Sequence, residues 1–189
     1  MINRKDFRKI KANMDKYDVQ REKVIRESRD VIKLSKKIIY SIHRNDLKNA
    51  KLLMPDIKKK IMQLQNKVTK YPKLDGGSFK VAVQEYVETI CYYEYLKSKK
   101  IPTSSDLGVK EDYYLMGLCD LTGELVRLAI NSAIAGNFEG AIEIKQFVTD
   151  LYEELMLFDF VGELRKKFDS IKYDLKKLDS LVLDLKLKK

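Results

Sequence analysis

Residues 21–44, REKVIRESRDVIKLSKKIIYSIHR, decide the class of fold. Val24, Ser28, Val31, Ser35, Ile38 and Ile42 recur at steps of four, three, four, three and four, with Ile25, Ile32 and Ile39 beside them. At helical pitch these positions gather along one side. Arg26, Lys33, Lys37 and Arg44 fall within about 20° of one line on the opposite side, with Arg29 and Lys36 at its margin. The spacing extends back to about Arg4 and predicts a helix over 4–44, roughly 60 Å long if unbroken.

The same three-and-four spacing continues down the chain, and no segment holds a period of two. Asn45-Asp46 restarts a helix that Pro55 is expected to kink or break before it ends near Tyr71. YPKLDGG, residues 71–77, opens a third helix over about 78–100. KIPTSSD, residues 100–106, leads to a fourth over about 105–135, and Ala135-Gly136-Asn137 separates it from a fifth ending near Asp159. Beyond Phe160-Val161-Gly162, seven apolar residues from Leu164 to Leu185 step by four and three. That seam has coiled-coil character and exceeds what a short terminal helix needs against its own bundle, so it reads as a self-association face. No linker or repeat divides the chain. The expectation is one all-α helical bundle, a single domain over 1–189.

Composition narrows the class further. Of 189 residues 44% are hydrophobic and 35% charged, with 8 Gly, 3 Pro and no Trp, which excludes collagen-like, turn-rich all-β and disordered chains. The longest apolar run, Tyr113 to Cys119, is far short of the ~18 residues of a membrane span. The N-terminus lacks the apolar stretch of a secretory signal. Two cysteines make no disulfide framework, so a reducing, cytoplasmic location is expected. The net charge of +10 is uneven: residues 1–44 hold 14 Lys or Arg against 6 Asp or Glu, residues 45–162 hold 15 against 17, and residues 163–189 hold 9 against 5. Two basic ends around a mildly acidic middle suggest a surface for a polyanion and, separately, a need for carboxylates.

Much enzyme chemistry is excluded at once. His43 is the one histidine, so neither a His-rich zinc site nor a paired Glu-x-x-His di-iron site can be built from one chain. Cys91 and Cys119 lie among apolar residues and read as buried thiols; a Cys91–His43 pair has no supporting motif. Gly76-Gly77 reads as a helix-start turn, not a phosphate loop. Two acidic pairs remain. Glu85 and Glu88 are three apart on the third helix, and Asp120 and Glu124 four apart on the fourth, so each pair shares a face. The third helix is apolar nearly all round, and Gly117 and Gly123 would let another backbone come close to the fourth.

Carboxylates crowded into a half-buried cleft repel one another, and a hard divalent cation, Mg²⁺ or Mn²⁺, relieves that repulsion. A metal-bound water would then suit attack on a phosphodiester. The bland alternative makes the acids salt-bridge partners of Lys97, Arg127 or a neighbouring subunit. For the basic line the alternatives are a solvated face and a nucleic-acid contact, with single-stranded RNA or DNA favoured over duplex readout.

Four blocks of this sequence resemble the translin superfamily: residues 21–44 as quoted, QEYVE at 84–88, YYLMGLCDLTGELVRLAINSAIAGN at 113–137, and LRKKFDSIKYDLKKLDSLVLDL at 164–185. QEYVE together with D-L-T-G-E makes the chain more similar to the translin-associated factor X branch than to translin itself. The resemblance implies a seven-helix bundle, closed octameric shells, and Mg²⁺-dependent endoribonuclease activity on single-stranded RNA. It places the catalytic and metal-binding acids on Glu85, Glu88, Asp120 and Glu124. It places nucleic-acid contacts on Arg29, Lys36 and Lys37, to which the basic line adds Arg26 and Lys33. In many organisms such a chain works beside a translin chain; a chain with both basic helix and acids is expected to form a homo-oligomer. A non-catalytic single-strand-binding protein of the same fold, and a helical scaffold without nucleic acid, are the rival expectations.

Overall fold

The structure, a computed structural model, describes residues 2–187. Seven α-helices and one 3₁₀ turn, with no strand, make up the fold among the described residues: α1 Arg4–His43, α2 Leu47–Lys70, α3 Gly77–Ser98, α4 Ser104–Leu107, α5 Glu111–Ile134, α6 Phe138–Leu155 and α7 Gly162–Leu187. Their starts are written in the sequence. The side chains of Asn3, Asp46 and Asn137 each accept the backbone N–H three residues on, and Thr103 with Asp106 forms a reciprocal capping box.

The all-α, seven-helix expectation agrees with this architecture, and two boundaries differ. Pro55 neither ends nor divides α2. The missing backbone bond is offset because Ala50, Met54, Ile57 and Ile61 bury their side chains on both sides of it. The fourth expected helix is two, because Gly108 caps α4 with φ +62°, a left-handed conformation that suits glycine, and α5 starts afresh at Glu111.

α3 is the central helix, packed against α1 on one side and α5 on the other; α2 lies on α1, and α6 and α7 lie on α5. At one end of the bundle the Tyr17 hydroxyl donates to the Lys73 carbonyl, the Phe79 and Tyr113 rings meet 6.1 Å apart, and Lys80 pairs with Glu163 at 2.6 Å. At the other end His43 reaches Glu124, and Tyr95 packs on Phe147 with ring centres 4.6 Å apart. α1, α3, α5 and α7 therefore run the same way, and the crossing from Lys99 to Lys110 returns the chain so that α5 can lie parallel to α3. The apolar face of α1 is buried as its spacing requires, Val24, Val31, Ile38 and Ile42 alternating with the small Ser28 and Ser35.

The terminal seam packs differently from its expected role. Phe168, Ile171, Leu178 and Leu185 are buried, and Leu164, Leu175 and Val182 half-buried, within the chain itself. A helix of 26 residues lying along α5 and α6 uses most of the seam internally, so the seam is not a free self-association face.

Candidate metal and nucleic-acid site

Gly117 sets how near α5 comes to α3. A Cβ placed on it would stand 2.6 Å from the Val87 Cβ and 2.9 Å from the Gln84 carbonyl oxygen. No side chain fits there, and Gln84 closes the contact by donating to Met116 Sδ at 3.0 Å. Gly123 plays no such part: a Cβ there would meet only Asp174 Oδ2, at 4.0 Å. The close approach at Gly117 aligns Glu85 and Glu88 with Asp120 and Glu124, which follow one and two turns further along α5.

Glu85 and Glu88 feel the charges of Asp120 and Glu124, and the four carboxylates are not equivalent. Glu88 has no hydrogen-bond or ion-pair partner among the described residues. Burial, then the charges of Asp120, Glu85 and Glu124, push its pKa up to about 8. Glu85 is likewise unpartnered; burial raises its pKa, the Lys36 ammonium opposes that, and Asp120 and Glu124 add to it. Asp120 is also raised by burial, opposed by Lys167, whose ammonium donates to both its oxygens at 2.5 and 2.6 Å. Glu124 accepts from His43 Nε2 at 2.5 Å; the His43 side chain is only 6% exposed. Asp120 and Glu124 thus have partners other than the Lys97 and Arg127 considered from sequence, and Glu85 and Glu88 have none among the described residues. Lys97 pairs with Glu94 at 3.6 Å, and Arg127 stays in the cleft without an ion pair among the described residues.

Lys36, Ile39, Tyr40, His43, Glu85, Glu88, Glu124 and Arg127 line one open cleft. Asp120 is not on its wall, being turned to Lys167. In chemistry the acid set fits a hard cation: all donors are oxygens, and the unpartnered Glu85 and Glu88 are held towards their neutral forms by burial and mutual charge. In spacing the set is not closed. Among the described residues no group of three or more His, Cys, Asp or Glu stands ready to hold a metal ion. The physical reason is that Lys167 and His43 already engage two of the four carboxylates. Cys91 and Cys119 are buried free thiols, and burial pushes each up to about 12, so neither is a thiolate nucleophile.

Arg26, Arg29, Lys33, Lys36 and Lys37 are all exposed, and none is in an ion pair among the described residues. They do not all face the acids. Arg29, Lys36 and His43 follow one another at seven-residue spacing, a nearly straight line that leads into the cleft. Arg26, Lys33 and Lys37 lie about 60–100° further round the helix. The margin of the basic line, rather than its centre, meets the carboxylates. Tyr40 and Lys167 were not singled out by sequence, Arg127 was considered only as a salt-bridge partner, and His43 only beside Cys91; the Arg29–Lys36–His43 heptad was the signal available for placing His43 at the cleft.

The profile of the Translin family matches residues 19–189. The chain belongs to that family. An uncharacterised protein of Methanocaldococcus jannaschii is 33% identical over 157 residues, spanning 80% of this chain and 70% of that protein. Translin-associated protein X of Pongo abelii is 26% identical over 238 residues, spanning all of this chain and 79% of that one. Translin of Gallus gallus is 29% identical, but over 67% of this chain. Among solved structures, apo-NeC3PO superposes with a TM-score of 0.88 at 30% identity, covering 97% of both chains. AfC3PO in complex with duplex RNA superposes with a TM-score of 0.82 at 26% identity, covering 97% and 98%. Within the Translin family match, all four acids and all five basic residues fall inside the matched span, whereas residues 1–18 precede it. No helix of the described residues is long and apolar enough to cross a membrane.

Proposed function

We propose that this Translin-family chain is an RNA-binding protein and an endoribonuclease that depends on Mg²⁺ or Mn²⁺. One observation carries the reading: the exposed line of Arg29 and Lys36 runs into a cleft whose floor holds Glu85 and Glu88, two unpartnered carboxylates coupled to Asp120 and Glu124. Phosphate oxygens engaged by Arg29 and Lys36 would bring the RNA backbone beside the acids, with Lys37, Arg26 and Lys33 holding the strand as it leaves. Glu85, Glu88, Asp120 and Glu124 would hold the cation, Lys167 and His43 giving up their carboxylates in exchange. The cation supplies a water of lowered pKa and neutralises charge developing on the phosphate. Arg127 and the released Lys167 add positive charge at the rim, and Tyr40, exposed with Arg44 over one face of its ring, offers the other face for base stacking.

The complex of AfC3PO holds duplex RNA, so binding in this fold is not restricted to single strands. Phosphate contacts tolerate either form; the preference for flexible single strands belongs to cleavage, which must bring a backbone bond into the cleft. We further propose that the whole chain, 1–189, acts as one unit in a closed homo-oligomer, an octamer by family resemblance, with a translin-like partner chain as the alternative assembly. A second functional reading has an observation of its own. With Asp120 bound by Lys167 and Glu124 by His43, the acids are internally neutralised, as in a non-catalytic binder. Cleavage of labelled RNA by the purified chain, with metal and with chelator, separates the two: the proposal requires cleavage that chelator abolishes.

A further inference from the structure

α1 is longer than the bundle it packs against. Its last anchor at that end is Tyr17, whose hydroxyl reaches Lys73. Residues 4–16 continue as helix for about 20 Å with every side chain exposed. This arm is not a uniformly polar extension. Phe7, Ile10 and Met14 follow at steps of three and four and continue the same face that Tyr17 and Val24 turn into the core. Phe7 is 63% and Met14 62% exposed, so a core-type face overhangs the bundle with nothing on it. The arm is also basic, with six Lys or Arg against two Asp over residues 4–16.

The surface that complements it lies at the same end of the molecule. The position of the turn between α6 and α7 follows from the pairing of Glu163 with Lys80, at the start of α3. There Met156, Leu157, Phe158 and Val161 are exposed, Leu157 by 79% and Val161 by 82%. Residues 153–162 hold Glu153, Glu154 and Asp159 and no basic residue, and none of the three acids is in an ion pair among the described residues. A basic apolar arm and an acidic apolar turn therefore share one end of the chain without touching.

We propose that a second copy of this chain covers both, by reciprocal exchange of arms. Two copies set end to end about a two-fold axis carry each arm past its own bundle and along the other's, where it meets the bare α6–α7 turn. Both patches lie on one end, so a single two-fold satisfies both arms at once, as an isologous interface requires. Aromatic and aliphatic side chains from arm and turn form the apolar centre, with opposite charges around it. The proposal rests on the self-association proposed above but names a contact that self-association does not require.

The test uses the full chain. Light scattering follows the mass of wild type, of an arm variant (Arg8→Glu, Lys9→Glu, Lys11→Glu), of a turn variant (Glu153→Lys, Glu154→Lys, Asp159→Lys) and of the chain carrying all six changes. Each single-sided variant is expected to weaken pairing by at least about tenfold, and the combined chain to regain it. Helicity and melting temperature should stay near wild type, since both patches lie outside the core. Ile10→Cys mixed with Leu157→Cys should cross-link between chains. An assembled wild type whose mass neither reversal changes overturns arm exchange and leaves self-association standing; a monomeric wild type overturns both. Cross-linking confined within one chain, in an Ile10→Cys/Leu157→Cys double variant, would mean that the arm folds back on its own turn. Loss of RNA binding without loss of mass would make the arm a nucleic-acid contact. Either result overturns the exchange.

Discussion

Glu88 stands where burial and three neighbouring carboxylates act in one direction, and its pKa is pushed up to about 8. Below the ordinary carboxylate range Glu88 is neutral in both folded and unfolded chains and has no effect on stability. As pH rises towards about 8 the unfolded chain ionises it first, so stability falls across that window. Metal-free Glu88→Gln should therefore melt above wild type at about pH 7.5 and level with it at about pH 4, measured by circular dichroism. Adding Mn²⁺ at the higher pH should raise the wild-type melting temperature and leave the variant's nearly unchanged. Gly117 gives a second prediction at this scale. Gly117→Ala gains helix propensity but overlaps Val87 and the Gln84 carbonyl, and should lower stability by about 1–2 kcal/mol in denaturant unfolding. Adding Val87→Ala should cost less than the two changes summed. The acids were legible in sequence because carboxylates three and four apart on an otherwise apolar helix are conspicuous. Their partners were not, because Lys167 and His43 arrive from α7 and α1, and sequence spacing within one helix says nothing about what another helix brings.

α1 joins the two halves of the site, and its basic residues separate by direction. Arg29→Glu with Lys36→Glu should weaken RNA binding and reduce the magnitude of the slope of log affinity against log salt by about 1.4, at about 0.7 for each single-strand phosphate that goes unneutralised. Lys33→Glu with Lys37→Glu should produce a smaller loss of affinity and a smaller change in slope, because those residues point away from the cleft; fluorescence anisotropy over a salt series measures both. Equal effects from the two pairs would mean that the whole face binds uniformly. At this scale the sequence is a good guide to existence and a poorer one to boundaries. Caps at Asn3, Asp46 and Asn137 mark true helix starts, whereas Pro55 misleads because packing on both sides outweighs one missing hydrogen bond. The α7 seam misleads differently: an apolar stripe records that a face is buried, not whether its partner belongs to the same chain.

Across the whole molecule, four parallel helices place the basic line and the acids at the junction of α1, α3 and α5, with Asp120 held by Lys167 one turn from Glu163 near the α6–α7 turn and Glu124 held by His43 further along the bundle. The functional claim stands or falls on the acids, whatever the assembly. Its sharpest check is cleavage of a labelled single-stranded RNA by the purified chain, with Mg²⁺, with chelator, and for Asp120→Ala and Glu124→Ala. The expected result is cleavage by wild type that chelator abolishes, and no cleavage by either variant, while each variant still binds RNA and keeps its helicity. Cleavage that persists in chelator, or that both variants retain, would show that these carboxylates are not the site of a metal-dependent nuclease.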